Sequence, residues 1–120
     1  MSYDIRMIEP KTKKDIMLDS IHGFTGGTYA VGGTKKAWLN ITYNYSKYYY
    51  RHIDEAQGIR FLYGKTGKEC LPILRKAIRV LGRNVSRGGY WKATKGNAGN
   101  ALLGLVAFCK ARPDGIFIGD

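Results

Sequence analysis

Apolar residues alternate with polar ones near the start of the chain and fall three and four apart further on. YDIRMI (3–8) sets Tyr3, Ile5 and Met7 on one side of an extended strand, and DIMLD (15–19) is a second short run. Between them EPKTKK holds a proline and a cluster of lysines, so the pair predicts a β-hairpin with a basic tip. GTYAV (27–31) and TKKAWLNIT (34–42) flank Gly32-Gly33, which suits the positive φ of a tight hairpin turn. Along the second of these runs Ala37, Leu39, Ile41 and Tyr43 share one face, expected to point inward. Trp38, Asn40, Thr42 and Asn44 form a polar row on the other.

Helical spacing takes over at Ser46, the expected N-cap of a short helix starting at Lys47. Tyr45, Tyr48, Tyr49, His52 and Ile53 would lie on its packed side, with Lys47, Tyr50, Arg51 and Asp54 opposite. A second helix is predicted over about 69–82. Its apolar stripe is Cys70, Leu74, Ala77, Ile78 and Leu81, and Gly82 is its stop. Thr66 and Glu69 have capping-box spacing, but Pro72 would then fall beyond the first turn. The regular helix is therefore expected to begin nearer Lys68–Leu71. A last helix, about 97–111, is apolar nearly all round, with Gly99 and Gly104 permitting close packing. Pro113 ends it, and GIFIGD (115–120) reads as an edge strand. Strands first and helices later predict one α+β domain over residues 1–120: N-terminal antiparallel β-hairpins packed against three C-terminal helices.

Charge changes this picture more than composition does. The chain carries +11, and residues 59–120 hold twelve Lys/Arg against three Asp/Glu, whereas residues 1–58 hold eight against six. A basic half of this kind points to a polyanionic partner. Cys70 and Cys109 both sit in apolar-periodic segments and read as core thiols, which fits a reducing, cytoplasmic setting. The N-terminus lacks a secretory pattern and no apolar stretch reaches membrane-span length, so no membrane partner is expected. The two histidines and two cysteines are scattered, so neither a metal site nor a cofactor is expected.

Three chemistries compete. The first is nucleic-acid or acidic-protein binding. Arg75, Lys76 and Arg79 line one helix face, and Arg83, Arg87, Lys92 and Lys95 continue through a loop that carries Tyr90 and Trp91. Tyr50 and Arg51 are the exposed pair of the tyrosine cluster. Arginine pairs phosphate while flat rings stack on exposed bases, which suits RNA or single strands. The second is a pocket that sequesters a nucleotide, with the protein acting as a homo-oligomer. Trp38, Asn40, Thr42 and Asn44 would form one wall. Gly64, Lys65, Thr66, Gly67 and Lys68, before a helix, would present N–H groups to an anion. GIRFLYGKT (58–66) resembles a phosphate-binding loop, but Gly58 and Gly64 are one residue too far apart and bulky side chains lie between them. The third is a small enzyme, for which His52 with Asp54 or Glu55 is the group to test.

GGTYAVGGTKKAWLNITYNYS (26–46), GIRFLYGKTG (58–67), GNAGNALLGL (96–105) and RPDGIFIGD (112–120) together resemble a family of small bacteriophage and prophage proteins. The resemblance carries no catalytic residues onto this chain. It implies a host-cell setting and a short list of roles: inhibiting a host defence system, for instance a CRISPR effector, by binding its nucleoprotein or signal, or an accessory part in packaging or transcription.

Overall fold

The computed structural model describes residues 1–28, 33–89 and 92–120. Its elements are β1 (Ser2–Ile8), β2 (Met17–His22), β3 (Thr34–Lys36), β4 (Trp38–Thr42), α1 (Ser46–His52), α2 (Gly67–Leu81), α3 (Lys95–Ala111) and β5 (Ile116–Gly119). The fold is α+β. β1 is the centre of an antiparallel sheet of order β4-β1-β5, and β2 and β3 form a separate two-stranded ribbon. The alternation of β1 explains its central place. Tyr3 faces Ile41, Ile5 faces Leu39 and Met7 faces Phe117, all of them buried. The C-terminal GIFIGD run is the edge strand expected.

The first hairpin forms only at its turn. Glu9 N–H donates to the Lys14 carbonyl at 2.8 Å and Ile8 bridges Asp15, but β2 then leaves to pair with β3. Further along, both edges of β1 are occupied by β4 and β5. β2 has little apolar surface turned to the core, since Met17 and Ile21 are exposed. Of the predicted 27–31 strand, Gly27 and Thr28 are not in a strand, and residues 29–32 lie outside those described. Gly33 has the positive φ (72°) that a tight turn requires. The chain at Gly26 instead runs parallel to β4, and its carbonyl accepts from Thr42 N–H at 2.8 Å.

Ser46 is not a cap. Its Oγ bonds the Tyr3 hydroxyl at 2.6 Å, while Thr42 caps a 3₁₀ turn over Tyr43–Tyr45 that leads into α1. The tyrosines divide much as their spacing predicts. Tyr45 and Tyr49 are buried, and the Tyr49 hydroxyl donates to the Ala98 carbonyl at 2.9 Å. α2 begins at Gly67 with the full Thr66–Glu69 capping box, and Pro72 sits inside the helix. The cap satisfies two orphan donors, whereas Pro72 deprives only the Lys68 carbonyl, on an exposed turn, of its helix bond. α2 and α3 run antiparallel: Gly67 approaches Cys109, and Gly99 approaches Leu81 and Gly82. Both cysteines are free and buried, and burial pushes each thiol up to about 12. They are core thiols, as their positions suggested. Among the described residues no helix is long and apolar enough to cross a membrane.

Arg112 ties the two ends of the chain together. It holds Glu9 through a bidentate pair of 2.7 Å bonds and reaches Asp114 at 3.0 Å. Its hydrogen bonds hold both carboxyls below their ordinary range. Glu69 is lowered too, by the Thr66 backbone and hydroxyl. Carboxyls depressed by folding stabilise the protein above their unfolded pKa, and that stability is lost as pH falls through the folded values. Melting temperature should therefore fall on acidification from pH 7 to 3. Arg112→Gln should lower it at pH 7 and flatten the acid limb. Parallel melting curves of the two proteins against pH check this.

Candidate nucleic-acid interface

Arg75 and Arg79 stand one turn apart on α2, about 6 Å along its axis, and Arg83 follows just beyond Gly82, whose positive φ (77°) ends the helix; all three line one concavity. The antiparallel packing of α3 sets Lys110 across from them. Together they rim an open concavity of about 400 Å³ whose floor is Ile78, Leu103 and Val106. All four cations are exposed, and among the described residues none forms an ion pair. No acid stands at i±4 from any of the three arginines, and seven of the chain's nine acids are engaged elsewhere. Glu9 and Asp114 hold Arg112, and Asp15 holds Arg6 and Lys36. Asp4 accepts from the Trp38 indole, and Asp54 and Glu69 accept local backbone N–H groups. Asp120 accepts from the Asp4 N–H. No acid lines the groove.

The approach of the helices shapes this groove. A Cβ at Gly99 would overlap the Gly82 carbonyl oxygen and meet Leu81 Cβ at 3.2 Å. Beyond Gly82 the loop is organised by Asn97, a buried polar residue in the first turn of α3. Its Oδ1 accepts from Ser86 N–H at 2.9 Å, and its Nδ2 donates to the carbonyls of Gly89 (2.9 Å) and Lys92 (3.0 Å). Asn97→Leu would strip three backbone groups of their partner at about 1–3 kcal/mol per buried group left unsatisfied. Stability should drop by about 2 kcal/mol or more in urea unfolding, and hydrogen exchange should quicken at the Ser86 amide.

The predicted contact residues are not all brought together. Arg75, Arg79 and Arg83 converge, and Lys110, absent from the sequence reading, joins them. Lys76 is exposed but outside the groove lining. Arg87 is exposed on the loop, and Lys92 lies against Gly88. Tyr90 and Trp91 lie outside the described residues. Tyr50 is 38% exposed, with its ring against Gly58. Arg51 and Lys95 line a different concavity, of about 410 Å³, with Lys47 and Tyr48.

The nucleotide pocket drawn from sequence does not assemble. Each backbone N–H from Gly64 to Lys68 already has an acceptor: Phe117, Leu62, the Glu69 carboxylate, Gly115 and Pro113 respectively, at 2.8–3.1 Å. No N–H remains to cradle a phosphate, and Glu69 places a negative charge at the helix start. The Lys65 ammonium turns back to the Phe61 carbonyl at 2.8 Å. On the supposed opposite wall, Asn40 and Thr42 are buried and Asn44 is exposed. The Asn40 carbonyl accepts from Thr28, the Thr42 hydroxyl caps Asn44, and the Trp38 indole donates to Asp4. β4 and β5 lie on opposite edges of the sheet, so this row and the Gly64–Lys68 turn are separated by β1.

The catalytic group to test fares similarly. Asp54 Oδ2 accepts from the N–H groups of Ala56 and Gln57, and Glu55 is exposed. The imidazole of His52 is lowered, first by partial burial and then by Arg51 and Lys95, so its neighbours are cations rather than an orienting carboxylate. Among the described residues no three acidic, His or Cys side chains gather as metal ligands.

No protein-family model, curated protein or solved structure matches this chain.

Proposed function

We propose that the protein is a non-catalytic binding protein that docks the α2–α3 groove on nucleic acid, with single strands favoured over duplex. The observation that carries this reading is the groove itself: four unpaired cations rim an aliphatic floor, and no acid lines it. Arginines repeating along a helix can follow a chain of phosphates. Ile78, Leu103 and Val106 offer an apolar surface to the sugars and base faces that only a single strand exposes. In the phage setting implied by the sequence resemblance, such a protein would act by occupying nucleic acid, including the nucleic acid held by a host defence effector.

Fluorescence anisotropy with a labelled single-stranded RNA, the matching DNA strand and the duplex tests the reading at one fixed salt concentration. Saturable binding of the single strands, tighter than of duplex, is expected. No binding of any of the three at micromolar protein would overturn it. Binding of the duplex alone would move the target from exposed bases to the phosphate backbone.

A further inference from the structure

The α2–α3 groove does not use the second basic concavity, lined by Lys47, Tyr48 and Arg51 of α1 and by Lys95 of α3. We propose that this concavity is a distinct binding site for a phosphomonoester, the terminal phosphate of a nucleic-acid strand or a free mononucleotide. The inference goes beyond the groove reading, and the two sites share no lining residue.

Lys47 and Arg51 stand one helical turn apart on α1, so their side chains reach the same side. Lys95 enters from the first turn of α3. α1 is fixed there by two hydrogen bonds: the Tyr48 hydroxyl donates to the Ala93 carbonyl at 2.9 Å, and the Tyr49 hydroxyl to the Ala98 carbonyl at 2.9 Å. Three cations are thus held around one hollow by a fixed scaffold, with no acid in the lining and no ion pair among the described residues. The positive field reaches His52, whose protonation is disfavoured by Arg51 and Lys95 in addition to burial.

The chemistry of the ligand follows from charge and size. A diester phosphate within a strand carries one negative charge. A phosphomonoester carries about −1.5 to −2 at neutral pH, with three strong acceptor oxygens. Three converging donors match the second better. A hollow of about 410 Å³ is large enough to hold more than a bare phosphate, and the Tyr48 ring provides one apolar wall for a sugar. The site is also physically separate from the groove. The backbone at Gly82–Asn84 crosses α3 against Gly96 and Gly99, between Lys95 and the groove residues Leu103 and Val106.

The test compares 5′-phosphorylated with 5′-hydroxyl oligonucleotides, and maps amide shifts with inorganic phosphate and with a nucleoside monophosphate at constant ionic strength. Phosphate should give saturable shifts over residues 47–52 and 93–97, and the 5′-phosphate should strengthen oligonucleotide binding about tenfold. In K47A/R51A the shifts and the tenfold ratio should both vanish. In R75E/R79E overall affinity should fall while the ratio persists, so failure of the groove and failure of this site give different results. A mononucleotide that binds as tightly as the phosphorylated strand assigns the site to free nucleotides, and tighter strand binding assigns it to strand ends. The proposal is overturned if phosphate shifts are absent or spread evenly over exposed lysines, or if the ratio is one in the wild-type protein. All five altered side chains are exposed, and Lys95→Gln alone should halve the effect or more without touching α1.

Discussion

Reversing Arg75, Arg79 and Arg83 to Glu should weaken single-strand binding by more than a hundredfold while leaving the fold intact. Each phosphate neutralised on a single strand contributes about 0.7 to the slope of log affinity against log salt. Losing three such contacts costs roughly two orders of magnitude at about 0.1 M salt, and the new carboxylates add repulsion. The fold should survive because all three side chains are exposed and make no ion pair that the change would break. Surface changes of this type usually shift stability by no more than about 0.5 kcal/mol each. The comparison protein is Lys65→Glu/Lys68→Glu, whose affinity should fall far less. It alters net charge by two thirds as much but touches a turn whose N–H groups are all internally bonded. Anisotropy titrations of the three proteins, with melting curves alongside, give the result.

The largest effect on stability should come from Gly99→Ala. The added methyl meets the Gly82 backbone, which no side-chain rotation can move aside, so α3 must withdraw from α2. That separation loosens Leu74, Ala77 and Leu81 against α3 at the centre of the core. Overpacking typically costs about 1–3 kcal/mol and more where backbone must shift. The expected loss is about 3 kcal/mol or more, roughly 10 °C or more in melting temperature for a chain of this size. Gly23→Ala is the contrast: nothing lies within 4 Å of its Cβ position and its φ is ordinary, so its effect should be near zero. Because the groove spans α2 and α3, Gly99→Ala should weaken oligonucleotide binding as well, even at a temperature where it remains folded.

Much of the fold was legible because it follows from periodicity. The alternation of Tyr3, Ile5 and Met7, the inward set Ala37, Leu39 and Ile41, and the stripe of α2 each needed only one buried side to be recognised. Long-range pairing was not legible in the same way. β1 carries no local mark of pairing with β5, more than a hundred residues later, in preference to β2 just beyond its own turn. The capping box at Thr66 is visible in the sequence, but Pro72 argues against it there. The reason is that a general penalty for proline does not register which carbonyl loses its partner.

The candidate site was half legible. The helical spacing of Arg75 and Arg79 is a local signal that located two of the four rim cations, and Arg83 was found as the first cation of the basic loop that follows. Lys110 was hidden because its role depends on how α3 packs against α2. Asn97 was hidden because a polar residue at a helix start is usually exposed, and here the loop folds over it. The Gly64–Lys68 turn shows the opposite error. Glycines before a helix look like an anion cradle in sequence, but β5 and the 113–115 turn take up their N–H groups in the fold.

The central claim is that the α2–α3 groove holds a single-stranded polyanion through its rim cations, and the salt dependence of binding tests it most directly. Affinity for a single-stranded oligonucleotide should be measured from about 50 to 300 mM monovalent salt for the wild-type protein and for the Arg75/Arg79/Arg83 reversal. The wild-type slope of log affinity against log salt should be about −3 or steeper, as four phosphate contacts at about 0.7 each require, and the variant should lose most of it. A flat wild-type slope, or the same slope in both proteins, would contradict the account.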